Sequence, residues 1–297
     1  MRAPEELEIG LMFWGEKNPQ KTIGAVKAIG MNCGHLGFAG HVKLDGIARD
    51  WRAAAEEQNF AITSIWAAFE GESYADKPTV ARTVGFIPPT TRAAREVRAK
   101  QIIDTGAAMG IGIFACHIGF VPEDEFNPDF IAVRDIVRRL CDHAAGHGMR
   151  FALETGQETA PTMMHFIKAV QRPNLKINFD PANMILYGTA EPIGALRIMA
   201  PEVISVHCKD GNWPPKDNAD ALGTEMPIGE GSVGMDRFVQ TLKDIGYRGP
   251  LVIEREVSLD QDMDERHKEG LSHLDDVKFA VRLLTKLRGG SAGAGAY

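Results

Sequence analysis

Short apolar runs rich in strand-forming residues alternate with stretches of helical periodicity along almost the whole chain. Strands and helices that alternate in this way imply parallel strands joined by helical crossovers. Eight runs are predicted strands, at residues 8–13, 31–34, 61–69, 113–118, 150–154, 175–179, 203–207 and 251–254. Eight such units in 297 residues match the size of a closed (β/α)8 barrel, so we predict a single α/β domain of this fold.

The intervening segments carry apolar residues at the spacing of one helix face. Residues 130–144 show the clearest stripe, and residues 274–284 show another near the end of the chain. Pro161 is suited to the first turn of a helix, and Asp236 is a candidate N-cap for a later one. These stripes are typical of core packing rather than of a cofactor site.

Nothing in the sequence divides the chain into two domains. No linker rich in Pro, Gly or Ser interrupts it, so residues 1–288 are predicted to form the barrel. Residues 289–297 are almost entirely Gly and Ala, cannot bury a core, and are predicted to be a flexible tail. Neither a dinucleotide-binding glycine motif nor a Walker A sequence is present, and the glycines at 229–234 are interpreted as an ordinary loop.

Charge and hydropathy exclude several classes of protein. The 33 basic and 40 acidic residues give a net charge of −7, which argues against nucleic-acid binding. No uncharged apolar stretch of about 18 residues predicts a membrane span. The acidic N-terminal segment does not resemble a signal peptide, and the four widely spaced cysteines indicate reduced, buried thiols. A cytoplasmic location is therefore expected.

Ionisable side chains stand at the carboxyl ends of five consecutive predicted strands: His117, Glu154, Asp180, His207 and Glu254. The carboxyl ends of barrel strands share one rim, where active sites lie, so these side chains should converge. Clustered carboxylates raise one another's pKa, and a divalent cation removes that cost. Three carboxylates and one imidazole form an oxygen-rich donor set that favours Mn²⁺, with Mg²⁺, Co²⁺ or Zn²⁺ as alternatives.

The local sequences around these residues resemble the xylose-isomerase-like TIM-barrel superfamily over residues 7–288. Glu154 lies in Leu-Glu-Thr, Asp180 in Phe-Asp-Pro-Ala-Asn, His207 in Val-His-Cys-Lys-Asp and Glu254 in Ile-Glu-Arg-Glu. Within the superfamily, the chain is similar to sugar isomerases and epimerases of the tagatose-3-epimerase and inosose-isomerase kind. The resemblance implies a TIM barrel that acts on a small sugar, either a ketose or a keto-cyclitol. It also implies that the protein forms a homodimer.

The resemblance also implies that these four residues hold one metal ion. Glu154 and Glu254 would then transfer protons at the carbon next to the substrate carbonyl, through a cis-enediolate that a Lewis acid stabilises. Asn183 stands where many relatives have a histidine. That difference and the net charge argue against the three-zinc nuclease branch. Two alternatives stay open, a metal-dependent lyase that cleaves 3-keto-glycosides by β-elimination and a non-catalytic sugar-binding barrel.

Seven residues near the predicted rim are candidate substrate-binding residues: His117, Glu158, Asn183, Lys209, Asp210, Trp14 and Trp66. Each also has a purely structural interpretation, such as a buried histidine, a salt bridge between loops or a tryptophan in the core. His35, Glu70 and Trp213 are weaker candidates of the same kind. Strand alternation turns Arg255 away from Glu254, so Arg255 is expected to pair with a carboxylate. His143 and His147 lie on a predicted helix and are interpreted as surface or packing residues.

Overall fold

The structure is a computed structural model that describes residues 1–15, 18–256 and 273–289. The barrel strands are β1 Ile9–Trp14, β2 Cys33–Phe38, β3 Ala61–Ala67, β4 Ile113–Cys116, β5 Arg150–Glu154, β6 Leu175–Phe179, β7 Val203–Cys208 and β10 Leu251–Ile253. They close in the order β1-β10-β7-β6-β5-β4-β3-β2, and every neighbouring pair is parallel. The prediction of a single (β/α)8 barrel is confirmed.

Helices alternate with the strands: α1 Pro19–Ala28, α2 Ile47–Glu57, α3 Lys77–Thr83, α4 Arg92–Met109, α5 Pro128–Gly146, α6 Ala160–Val170, α7 Pro181–Tyr187, α8 Pro192–Met199, α9 Met235–Asp244 and α10 His273–Gly289. The stripe predicted at 130–144 is the buried face of α5. Among the described residues, no helix is both long and apolar enough to cross a membrane. The predicted flexible tail lies outside the described residues, apart from Gly289 at the end of α10.

Several helices begin in the same way, with a capping side chain followed within two residues by a proline. The side chain of the cap accepts a backbone N–H of the first turn. The proline supplies the helical φ angle, and the N–H that it lacks would have had no partner within the helix. The caps are Asn18, Asp76, Asn127, Thr159, Asp180 and Glu191. Pro161 belongs to this set, as predicted. Asp236 does not: α9 is preceded by Gly234 in the left-handed region, so Asp236 lies in the first turn and the predicted N-cap is wrong.

The second strand begins and ends later than the sequence indicated, because β2 contains two glycines of low strand propensity. A Cβ atom on Gly34 would stand 2.2 Å from the carbonyl oxygen of Leu11, so only glycine lets β1 and β2 approach this closely. The shift places His35 inside the barrel rather than at its rim. The predicted third strand runs two residues beyond the end of β3.

The long insert after β7 contains a structure that the sequence analysis did not predict. Strands β8 Asp210–Asn212 and β9 Thr224–Met226 pair antiparallel outside the barrel. Asp210 organises the glycine-rich segment beyond them, because its carboxylate accepts the backbone N–H groups of Gly211, Gly229 and Val233. The insert therefore forms a fixed wall above the strand ends. All four cysteines are free and buried, as expected.

Candidate active site

The barrel brings together the four side chains that were predicted as metal ligands. Glu154 ends β5, Asp180 follows β6, His207 lies in β7 and Glu254 follows β10, and these four strands are consecutive neighbours in the barrel. One donor atom of each residue lies within 4.8 Å of the donor atoms of the other three. All four are buried, with at most 6% of any residue exposed. The cluster therefore sits in a low-dielectric environment at the rim formed by the carboxyl ends of the strands.

His207 lies at the centre of this cluster. Its Nδ1 is 2.8 Å from Glu154 Oε1, 3.2 Å from Glu254 Oε2 and 3.9 Å from Asp180 Oδ2. Burial alone would lower the pKa of His207, but the charges of Glu254 and Glu154 raise it well above its usual range. Nδ1 is thus the ring nitrogen that faces the carboxylates and would bind a metal ion.

The three carboxylates differ in their ionisation. Burial raises the pKa of Asp180 well above its usual range. Burial acts on Glu154 and Glu254 in the same direction, but the cations beside them lower both pKa values below the usual range. Glu254 does raise the pKa of Glu154, as expected, but His117 and His207 outweigh this effect. At Glu254, the charges of His207 and Lys209 lower the pKa.

Asp180 shows that the cluster fits a cation. Its Oδ1 accepts the backbone N–H of Asn183 at 3.0 Å and so caps α7. Its Oδ2 is buried without a hydrogen-bond partner among the described residues. A buried carboxylate oxygen without a partner is unfavourable unless a cation or water binds it. Together with the donors of the other three residues, this oxygen suits one divalent ion.

Lys209 is a fully buried cation next to the cluster. Its Nζ donates to Glu254 Oε2 at 3.2 Å, to Asn183 Oδ1 at 3.2 Å and to Glu256 Oε2 at 2.5 Å. Burial would lower the pKa of Lys209, but Glu254 and Glu256 raise it well above its usual range. The lysine therefore stays charged and offsets part of the negative charge of the site. Asn183 acts as an acceptor for this lysine.

A cavity of about 1030 Å³ opens beside the cluster. His117 and Asn183 line it on the barrel side, and the insert at 218–230 forms much of the opposite wall. His117 Nε2 lies 2.8 Å from Glu154 Oε2, and His117 Nδ1 is buried without a partner among the described residues. Burial would lower the pKa of His117, but Glu154 raises it to about 9. A proton-bearing imidazole thus connects the cavity to Glu154.

The sequence profile of the xylose isomerase-like TIM barrel family matches residues 23–277. The chain belongs to this family. A crystal structure of a xylose isomerase domain protein from Planctomyces limnophilus is 39% identical to the chain, covers 96% of it and 98% of its own chain, and superposes with a TM-score of 0.84. A D-psicose 3-epimerase solved in the presence of D-fructose is 16% identical over 95% of this chain and 100% of its own, with a TM-score of 0.66, which shows the fold alone.

Curated relatives of this xylose isomerase-like barrel match over shorter segments. The 3-dehydroshikimate dehydratase of Bacillus anthracis is 28% identical over 125 residues, which are 37% of this chain and 44% of that enzyme. The chain spans about half the length or less of the curated relatives it matches. Epimerases thus stand among the structural neighbours, and a dehydratase stands among the sequence relatives.

The other predicted binding residues occupy different places in this xylose isomerase-like barrel. Trp66 is buried and stacks on His207, with ring centroids 4.7 Å apart, so it supports the cluster from inside the barrel. Trp14 is 48% exposed at the end of β1. Glu158 is buried, and its carboxylate accepts the backbone N–H of Val121 at 2.9 Å. Asp210 binds the glycine-rich segment at 229–233. None of these four lines the cavity formed by the described residues.

Some residues of the site were not predicted from the sequence. Tyr74, in a loop after β3, and Tyr187, at the end of α7, both line the cavity. No sequence pattern distinguishes these two tyrosines from aromatic residues of the core. Glu256 also lines the cavity, and strand alternation could have indicated this residue because it stands two positions after Glu254. Arg255 pairs with Glu225 at 2.7 Å and Asp276 at 3.3 Å, as expected.

His35 connects the cluster to the interior of the barrel. Its Nδ1 lies 3.0 Å from His207 Nε2, and its Nε2 lies 3.2 Å from Ser205 Oγ. Burial lowers the pKa of His35 well below its usual range, so the ring is neutral and can accept one hydrogen bond. When His207 Nδ1 faces a metal ion, His207 Nε2–H donates to His35 Nδ1, which fixes the tautomer and the ring orientation.

Replacement of His35 by Leu is therefore expected to weaken Mn²⁺ binding about 10- to 100-fold, the usual effect of losing a partner of a ligand histidine. Calorimetric titration of the metal-free protein measures this loss. Ser205→Ala is the matched control, because it keeps the contact between the two histidines and should change the affinity much less. Equal affinities for wild type and His35→Leu would show that His35 does not orient His207.

Glu158 predicts a pH dependence of stability. Burial raises its pKa to about 7, above the value near 4.3 of an unfolded chain. The folded state thus favours the protonated carboxyl, and this stabilisation is present below pH 4.3 and lost as the pH rises to 7. Glu158→Gln should therefore be more stable than wild type at pH 8, by up to about 3 kcal/mol, and should show little gain at pH 4. Urea unfolding at both values, with exposed Glu57→Gln as control, measures the difference.

Proposed function

We propose that the protein is a divalent-metal-dependent isomerase or epimerase that moves a proton at the carbon next to the carbonyl of a ketose or keto-cyclitol. One observation carries the proposal: Glu154 and Glu254 face the same buried cluster, and each has its own proton-bearing partner. His117 contacts Glu154 at 2.8 Å, and Lys209 donates to Glu254 at 3.2 Å. Epimerisation needs two such groups, one that removes the proton and one that returns a proton to the other face.

We propose Glu154, Asp180, His207 and Glu254 as ligands of one metal ion, with Mn²⁺ as the first choice. The donor set of three carboxylates and one imidazole supports a hard or borderline divalent cation. When bound, the cation supplies the positive charge that stabilises an enediolate. His117 and Asn183 are proposed to contact substrate hydroxyl groups, since both line the cavity next to the cluster.

The charge of the cavity wall favours an uncharged sugar over a phosphorylated one. Among the described lining residues, the acids outnumber the two cationic side chains; the acids are Asp76, Asp220, Glu225, Glu230 and Glu256. The cationic side chains are Arg255, which pairs with Glu225 and Asp276, and the protonated His117, which pairs with Glu154. A phosphate group would meet net negative charge from this wall, whereas hydroxyl groups can donate to its carboxylates.

A metal-dependent lyase acting on 3-keto-glycosides is the second candidate. The cavity extends from the cluster along the insert at 218–230, which leaves space for an aglycone beyond one sugar ring. The relative from Bacillus anthracis is named for a dehydration, which is also an elimination next to a carbonyl. Both reactions begin with the same proton removal.

A hydrogen-exchange screen tests the proposal. Ketoses, keto-inositols and 3-keto-glycosides are incubated in D₂O with the protein and Mn²⁺, and deuterium at the carbon next to the carbonyl is followed by NMR. We expect deuterium incorporation together with a new epimer or isomer. Release of an aglycone without an epimer would favour the lyase. No exchange with any substrate, together with no affinity for Mn²⁺, would favour a non-catalytic barrel.

A further inference from the structure

A second group of metal-binding side chains lies on the outer helices. His143 and His147 are one helical turn apart at the end of α5, and Asp104 projects from the neighbouring helix α4. Asp104 Oδ1 lies 2.7 Å from His143 Nε2 and 3.0 Å from His147 Nε2. One donor atom from each residue lies within 4.8 Å of the other two donors. These three residues are referred to below as the helix-pair cluster.

We propose that the helix-pair cluster is a site for a borderline transition-metal ion such as Zn²⁺, which binds α4 to α5. Residues at i and i+4 share one helix face, so the imidazoles of His143 in the last turn of α5 and of His147, its C-cap, can bind the same ion. Donor atoms around a tetrahedral Zn²⁺ with bonds of about 2.0–2.1 Å stand about 3.3 Å apart. The observed distances of 2.7 and 3.0 Å would need to open by about 0.6 and 0.3 Å to reach this separation.

The helix-pair cluster differs from the buried cluster in chemistry and in position. Two imidazoles and one carboxylate favour Zn²⁺, Ni²⁺ or Cu²⁺, whereas the oxygen-rich buried cluster favours harder ions. The C-terminal end of α5 leads into the start of β5, whereas Glu154 ends that strand, so the two clusters lie at opposite ends of the barrel. Carbonyl dipoles at a helix C-terminus also favour a cation there.

Exposure supports binding of an ion from solution. The side chains of Asp104, His143 and His147 are 54%, 31% and 39% exposed, so a hydrated ion can reach all three. Because three protein ligands leave a fourth position of a tetrahedral ion open, water or another ligand can complete the site. The bound ion would add a link between two helices that already meet through side-chain packing and the Arg92–Asp129 and Glu96–Arg139 pairs.

The number of Zn²⁺ ions bound per chain tests this proposal, with equilibrium dialysis of the metal-free protein as the measurement. We expect wild type to bind one ion more per chain than His143→Gln. Asp104→Asn should bind that ion at least tenfold more weakly than wild type. His165→Gln, which removes an exposed histidine of α6, is the matched control and should equal wild type.

A second measurement separates the two clusters. Immobilised Co²⁺ resin can reach an exposed site but not the buried cluster, so untagged wild type should be retained and the His143→Gln/His147→Gln double variant should elute in the wash. Equal Zn²⁺ stoichiometry for wild type and His143→Gln, or equal retention of wild type and the double variant, would overturn the proposal. Neither result depends on the proposed reaction.

Discussion

Glu254→Gln and Glu154→Gln are each expected to slow the interconversion of substrate epimers about 10³-fold at saturating Mn²⁺, within the range observed for loss of a general acid–base group. Glutamine keeps the size of the side chain and can still accept a hydrogen bond, but it cannot take up a proton. Each variant therefore interrupts proton transfer at one of the two glutamates. Deuterium incorporation and epimer formation, followed by NMR, measure the loss.

Two comparisons make the result specific. Glu57→Gln changes the same chemical group on the exposed surface of α2 and should leave the rate unchanged. Because Glu154 and Glu254 are also proposed metal ligands, Mn²⁺ affinity is measured for each variant, and rates are compared only at saturation. Undiminished exchange in both variants would overturn the proposed isomerase and the lyase together, since both reactions begin with proton removal.

The sequence analysis predicted the four-residue cluster because each ligand terminates an apolar run. Glu154, Asp180, His207 and Glu254 are ionisable residues at the ends of strands whose preceding residues are mostly apolar. Parallel topology brings such strand ends to one rim, so the convergence follows from the fold. The neighbouring order of β5, β6, β7 and β10 follows from the same topology.

Other parts of the site depend on packing that no local pattern reports. His35 was assigned to the rim because the two glycines of β2, Gly34 and Gly37, obscured this strand, yet close packing of β1 against β2 requires Gly34. The sequence marks Asp210 as a candidate for binding or salt-bridge formation, whereas its role is set by the backbone N–H of its neighbour Gly211 and by those of Gly229 and Val233 in a remote loop. Similarly, the pKa values of Glu154 and Glu254 depend on cations that only the folded barrel brings near them.

The contacts of Lys209 predict a second large effect. Lys209→Met is expected to lower the free energy of unfolding by about 3–5 kcal/mol without metal, as for other buried ion pairs that lose one partner. The reason is that Nζ lies 3.2 Å from Glu254 Oε2 and 3.9 Å from Asp180 Oδ2, both of them buried. Methionine fills a similar volume but removes one of the two cations beside these carboxylates and leaves only His207. Urea unfolding in the presence of EDTA measures the change.

The same variant should respond more strongly to a divalent cation than wild type does. Lys209 repels a metal ion at the adjacent cluster, so its removal raises the affinity for Mn²⁺, and the bound ion replaces the lost positive charge. The stability difference between Lys209→Met and wild type should therefore shrink when Mn²⁺ replaces EDTA. Lys176→Met is the matched control: it breaks the partly exposed pair with Glu202 and should cost less than about 1 kcal/mol with or without metal. If Lys209→Met lowered the free energy of unfolding equally in EDTA and in Mn²⁺, the metal ion would not replace the positive charge of Lys209 beside these carboxylates.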